Sequence, residues 1–374
     1  MSRTFVLRFA SAALILLFAA NTLSAQSPYK VIDKWKIGGE GGWDYLLADP
    51  SAHRLYITHG ARVEVLDTTT GKPVGAITGL HGTHGIALDT AGKFGFISDG
   101  GGNAVVVFDR ATLATVATVP TGGQNPDGIV YEPSTQTVWA FEGRSKDAAV
   151  IGPDPDAGTP AWKVLANIPL PGKPEFPAVD GKGNVYDNIE DKSLIVHLDA
   201  HSLKLIDTWP AGCESPSGLA FDVSGSRLFP VCDGNKMSVV DSKSGHVLAT
   251  PSIGDGPDAA GYSDAHKLAF ASSGDGILSV IDASSPAYKT IQSLVTAPRA
   301  RTMTYDPSTD RIYLVTADFG PAPAPTATNP RGTARVGLST ESCGYVPTLK
   351  STFCSTESAT PGASPEAPAG AASA

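Results

Sequence analysis

Apolar and polar residues alternate along this chain in short runs bounded by Gly, Pro, Asp and Ser, the pattern of strands with two unequal faces. The runs "RVEVLD", "NAVVVFD", "SLIVHLD", "KMSVVD" and "ILSVID" show it most plainly. No long amphipathic helical stripe interrupts them. The pattern predicts an all-β chain.

A second regularity has a longer reach. The segments "WDYLLADP", "HGIALD", "PDGIVYEP", "FPAVDG", "SGLAFD", "DAAGYSD" and "RTMTYDP" each close a short apolar run with an acidic or turn residue. Seven copies start at intervals of roughly 40 to 48 residues, the period of four-stranded propeller blades. A second strand follows each copy, from "RLYITHG" to "RIYLVTA", and fourth strands such as "PVGAITG" and "LKLIDTWPAG" follow the alternating runs. The expected fold is therefore a seven-bladed β-propeller of four-stranded blades. Six blades are complete between residues 43 and 297, while the last has only its first two strands. The N-terminal segment "YKVIDKWKIGG" has fourth-strand character and closes that last blade, which removes a free sheet edge. Asp67, Asp109, Asp199, Asp241 and Asp282 end the third strands and are read as turn formers, since Asp accepts bonds from its own turn backbone.

The stretches "GGEGGWDYL", "GRSKDAAVI", "KPEF", "NIEDKS", "CESPSGLAFD" and "ARTM" followed by "TADFGP" resemble the YncE-type branch of the YVTN β-propeller repeat family, over residues 29–321. The resemblance implies a secreted or periplasmic seven-bladed protein. It implies no particular reaction, because fold does not specify function. It also implies an apolar third strand after the Pro-rich "FGPAPAPTATNP", and residues 331–374 carry no comparable alternating run. The last blade is expected to lack that strand or to use "ARVGLS" poorly in its place, or the reading frame shifts near Arg331; a shifted or degenerate end is the favoured reading. The expected division is a signal peptide over residues 1–25, a propeller over 26–320 and a disordered Pro-, Ala- and Ser-rich tail over 321–374.

Arg3 and Arg8 precede an apolar run from Phe9 to Ala20 that leads to "NTLSA", the layout of a cleaved export signal. The run is too short for a membrane span, and no cysteine follows it to carry a lipid. Without Arg3 and Arg8 the 28 basic residues fall to 26 against 37 acidic ones, a formal charge of −11. Such a surface disfavours nucleic acid as a partner. A monomer in the periplasm or outside the cell is expected. There Cys213 and Cys232, which flank the first two strands of the fifth repeat, form a disulfide or remain two buried thiols. Cys343 and Cys354 lie in the tail.

Unusual residues concentrate in the connections between blades and in the second-to-third hairpins, which share one face of a propeller. The turns of the other face, such as "TAGK" and "PSTD", are plain. One polar mouth of the central channel is therefore expected to carry the site, and the other face is read as structural. The candidates are Trp43, Asp44, His84, Asp127, Arg144, Glu175, Glu190, Glu214 and Arg301. Arg144 and Arg301 are anion anchors, because guanidinium presents a fixed fork of donors, or else they bridge blades. Trp43 is a wedge between blades or a wall of the pocket. Glu190 stays open between site and hairpin tip, and Asp191 is read as a solvated tip. A metal would draw on His59, His84 and Asp44; the alternative is a set of hydrogen-bonded rim histidines that includes His81.

Three functions follow. The favoured one is a non-catalytic module for a small-molecule or protein ligand, since no nucleophile and base stand at a recognisable spacing. The second is a metal-dependent lactonase or hydrolase in which Glu40, Asp44, Glu175 and Glu214 hold a divalent ion. The third is a structural cell-envelope or surface-layer protein. No cofactor is required by the sequence.

Overall fold

A computed structural model describes residues 28–39, 41–157, 161–319 and 335–345. Residues 1–27, which include the expected signal segment, Glu40 and the tail after residue 345 lie outside the described residues. All but a few single-turn helices of the described secondary structure is strand. Six blades consist of consecutive antiparallel strands: blade 1 spans residues 43–77, blade 2 83–120, blade 3 126–169, blade 4 174–210, blade 5 214–249 and blade 6 257–295. A further four-stranded sheet is composite. It joins Thr302–Asp306 and Arg311–Phe319 to Arg335–Tyr345 and, outermost, to Tyr29–Lys36. The innermost strands neighbour one another from blade 1 to blade 6, then through the composite sheet back to blade 1. The chain is an all-β propeller.

The composite sheet corrects the expectation of a missing third strand. Arg335–Tyr345 pairs with Arg311–Phe319 from Arg311↔Gly344 onward, and with the N-terminal strand from Tyr29↔Tyr345 to Lys36↔Ser339. Arg335–Tyr345, which takes in "RVGLS", is thus the third strand, so the sheet continues past the boundary drawn at residue 320. Gln292 ties this sheet to blade 6: its Oε1 accepts from the Tyr29 amide at 2.9 Å and its Nε2 donates to the Tyr29 carbonyl at 2.7 Å.

The core lies between sheets. Trp139, Phe141 and Val150 of blade 3 pack against Val185, Ile189 and Val196 of blade 4, and comparable clusters join the other neighbouring pairs. Each strand face therefore buries aliphatic surface against the next sheet, about 25 cal/mol per Å². Trp43 packs with Leu46 and Ile57 against Tyr313 and Val315 of the composite sheet, the wedge position. Turn aspartates behave as the sequence suggested: the Asp67 carboxylate accepts from the amides of Thr69 and Thr70 and from the Thr70 hydroxyl, and Asp109 and Asp241 repeat the motif. Among the described residues no helix is long and apolar enough to cross a membrane.

Candidate functional site

In every repeat one residue stands five positions before the residue that closes the first-strand segment (Asp49, Asp89, Glu132, Asp180, Asp222, Ser263 or Asp306). These are Asp44, His84, Asp127, Glu175, Ser217, Asp258 and Arg301. In all six blades the residue falls within a register shift of the first strand, for example between Trp43 and Leu46, Pro126 and Ile129, or Pro174 and Pro177. A bulge removes one residue from the in-and-out alternation and re-aims it. Here it turns one side chain per blade toward the axis.

Six of the seven line a cavity of about 260 Å³ at one end of the channel. The seventh, His84, joins through Asp44, with Nδ1 2.5 Å from Oδ2, and lies 3.7 Å from Asp127. Close backbone approach makes the ring tight. A Cβ on Gly128 would sit 2.0 Å from the Glu175 carbonyl oxygen, so only glycine fits beside Asp127. Where blades 1 and 4 carry Tyr45 and Phe176 instead, the two rings stack with centroids 4.9 Å apart and form the floor of the cavity. Two further groups enter from blade 4: Lys173 bonds Glu175 and Glu190 at 2.5 Å each.

The electrostatics are lopsided. Among the described residues that line the mouth, Asp44, Asp127, Glu175, Glu190 and Asp258 face Lys173 and Arg301, with His84 beside Asp44. Burial pushes Asp127 up to about 6, against the opposing pull of His84. Burial likewise carries Glu175 to about 8, despite the Lys173 bond, and Asp258 to about 6, despite Arg301. Burial alone would lower the His84 imidazole, but the bond to Asp44 and the charge of Asp127 raise it to about 9. Beneath the ring, Asp187 is fully buried, and burial with the charge of Glu175 holds its carboxyl well above the usual range. Carboxyls that burial shifts upward, gathered in one cavity, make this mouth the candidate functional site.

The ring gathers Asp44, His84, Asp127, Glu175 and Arg301 from the sequence candidates, and Glu190 joins it through Lys173. The other candidates sit elsewhere. Arg144 is exposed on the blade 3 hairpin, one strand farther from the axis, and does not line the cavity. Glu214 is exposed at the start of its strand, ahead of the bulge. The three histidines take separate carboxylates: His59 meets Glu64 at 3.4 Å, His81 meets Asp99 at 2.9 Å and His84 meets Asp44. Asp191 is exposed on the hairpin tip, as expected, and there accepts from Lys146 Nζ and the Lys173 amide, each at 2.7 Å. Cys213 and Cys232 form a disulfide with Cα atoms 5.9 Å apart.

Ser217, Asp258, Lys173 and the aromatic floor were missed. The first two were legible as ring positions once the closing residues of the repeats are aligned; Lys173 and Phe176 lie in "KPEF" and Tyr45 in "GGEGGWDYL", but nothing in the sequence told that the two rings would stack or that Lys173 would enter the mouth. The plain face is not featureless. A cavity of about 1250 Å³ opens at the other end of the channel and meets the mouth at Leu46, Phe176 and Met303. Its wall includes Phe221, Tyr262 and Tyr305. These aromatic residues come from strands, so turn composition could not reveal it. No protein-family model matches the chain, and no curated protein matches it.

Proposed function

We propose that this protein is an exported, YncE-like binding module whose mouth takes a small ligand bearing a positive charge. In this reading the composite sheet is the seventh blade, and the Arg3, Arg8 and Phe9–Ala20 pattern supports export. The observation that carries the ligand class is the surplus of carboxyls on the ring over its cations. A cationic group on the axis offsets the repulsion that burial and proximity impose on Asp127 and Asp258. The stacked Tyr45 and Phe176 rings below add an aromatic face of the kind that attracts cations. A cavity this small suits a compact molecule more than a nucleotide or an oligomer.

Calorimetric titration with 1,5-diaminopentane tests this. Binding should weaken as salt is added and fall about a hundredfold or more when Asp127→Asn and Asp258→Asn are combined, in line with the loss of two charged hydrogen bonds. No heat at millimolar concentration from the diamine or from basic amino acids, with the protein folded, rejects the cation reading.

One observation favours a second reading, a divalent ion. Donor atoms of Asp44, His84 and Asp127 lie within 4.8 Å of one another. An ion there must displace the proton that His84 holds at neutral pH. The four-carboxylate site of the hydrolase reading has less support, since Glu214 lies off the cavity and Glu40 outside the described residues. Titration with Mn²⁺ at pH 7 and pH 9 separates the two readings: an ion site should gain affinity at the higher pH.

A further inference from the structure

The charges of the ring are also unevenly placed around it. In the cyclic order of sheets the composite sheet stands across the channel from blades 3 and 4, so Arg301 stands opposite Asp127 and Glu175. Arg301 meets Asp258 through Nε at 3.4 Å on a side chain that is 56% exposed. Among the described residues its two terminal nitrogens have no partner. The adjacent residue, Thr302, lines the cavity at 5% exposure, and its buried Oγ1 has no hydrogen-bond partner. A buried hydroxyl left unmatched is costly and marks a place where another polar atom belongs.

We propose that the ligand is a zwitterion with a cationic chain, chemically a basic amino acid, whose carboxylate meets Arg301 and Thr302 and whose charged chain end meets Asp127 and Glu175. The proposal rests on the cation reading of the mouth and makes it more specific. A guanidinium fork with free terminal nitrogens matches a carboxylate in shape and charge, and the Thr302 hydroxyl supplies a further donor. Lys173 cannot serve as this anchor, because Glu175 and Glu190 already hold it. A net charge of plus one on the ligand answers the acidic surplus, which a neutral amino acid would not. The apolar part of the chain lies over the Tyr45 and Phe176 rings.

The test compares L-lysine, lysine methyl ester and 1,5-diaminopentane by calorimetry on the exported full chain. The ester carries one more net positive charge than lysine, so long-range attraction alone favours the ester. Lysine should nevertheless bind at least tenfold tighter. Arg301→Gln should erase that preference while leaving the affinity for the ester within about twofold, and Thr302→Val should weaken lysine a few-fold. Circular dichroism checks that each variant is folded, and Arg301→Lys serves as a second probe, expected to restore part of the preference. Equal affinity for lysine and its ester overturns the carboxylate contact and leaves the cation reading standing. Diamine binding without lysine binding does the same. Silence from all three compounds overturns both readings.

Discussion

At pH 7 the His84 proton sits between Asp44 and Asp127, and at least one of the buried carboxyls around it also keeps its proton. This sets a direction for stability. Asp127 and Asp258 titrate near 6 in the folded protein against an ordinary value of 3.8, and Glu175 near 8 against 4.5. Each binds its proton more tightly folded than unfolded, so its stabilising contribution is complete below the ordinary value and is lost as pH rises through the folded one. His84 acts with the same sign between 6.5 and about 9, worth roughly 3 kcal/mol. On the acid side, Asp49 is held low despite burial by bonds from Ser51 and Arg110, and Asp222 by the Gly225 amide and Arg227. Their contributions disappear below about pH 4. The melting temperature should therefore peak near pH 5 and fall steadily to pH 9. Asp127→Asn should flatten part of that decline and raise stability at pH 8. Calorimetric scans across this range decide it, and a level profile from pH 5 to pH 9 contradicts the assignment.

The first strand of each blade does two jobs, and the bulge separates them. Past the bulge, residues such as Leu46 and Ile129 return to the alternation and pack against the neighbouring sheet. The second strand repairs the backbone that the bulge leaves unpaired: the Ser98 hydroxyl donates to the Asp127 carbonyl, and Asn188 Nδ2 donates to the carbonyls of Ser217 and Gly218 at 2.9 and 3.1 Å. Polar residues near the axis therefore have structural work beside any ligand. In blade 5 the Cys213–Cys232 disulfide pins the start of the first strand to the end of the second, next to the bulge that carries Ser217. It closes a loop of 19 residues' separation, worth about 3 kcal/mol in the chain-entropy model. Reduction should lower the melting temperature by several degrees with the fold retained at room temperature. Scans with and without a reductant that coincide would argue against a stabilising bridge.

The molecule closes on itself through its N-terminal strand. Tyr29–Lys36 covers the outer edge of Arg335–Tyr345, and the Tyr29 ring sets its edge against Phe270 of blade 6 at 5.2 Å. Deleting residues 1–39 bares that strand edge and removes a buried aromatic side chain from the join with blade 6. The truncated chain should elute as aggregates in size-exclusion chromatography, where the intact protein runs as a discrete species. A truncated chain that ran as the intact one does would show that the ring holds without this strand.

Sequence by itself determined the propeller and the places where its repeats turn, because strand alternation and turn chemistry are local and recur with a fixed period. It also held the ring residues, one per repeat, since each stands at the same offset from a recognisable closing residue, inside a bulge in six of the seven. Four consequences belonged to the tertiary structure alone. Arg301 stands across the channel from Asp127 although 174 positions separate them, Lys173 is captured by Glu190, Tyr45 stacks on Phe176, and the third strand of the composite sheet is recruited from an irregular segment. Each depends on which sheets the closure of the ring brings face to face, and closure is a property of the whole set of sheets that no single repeat encodes.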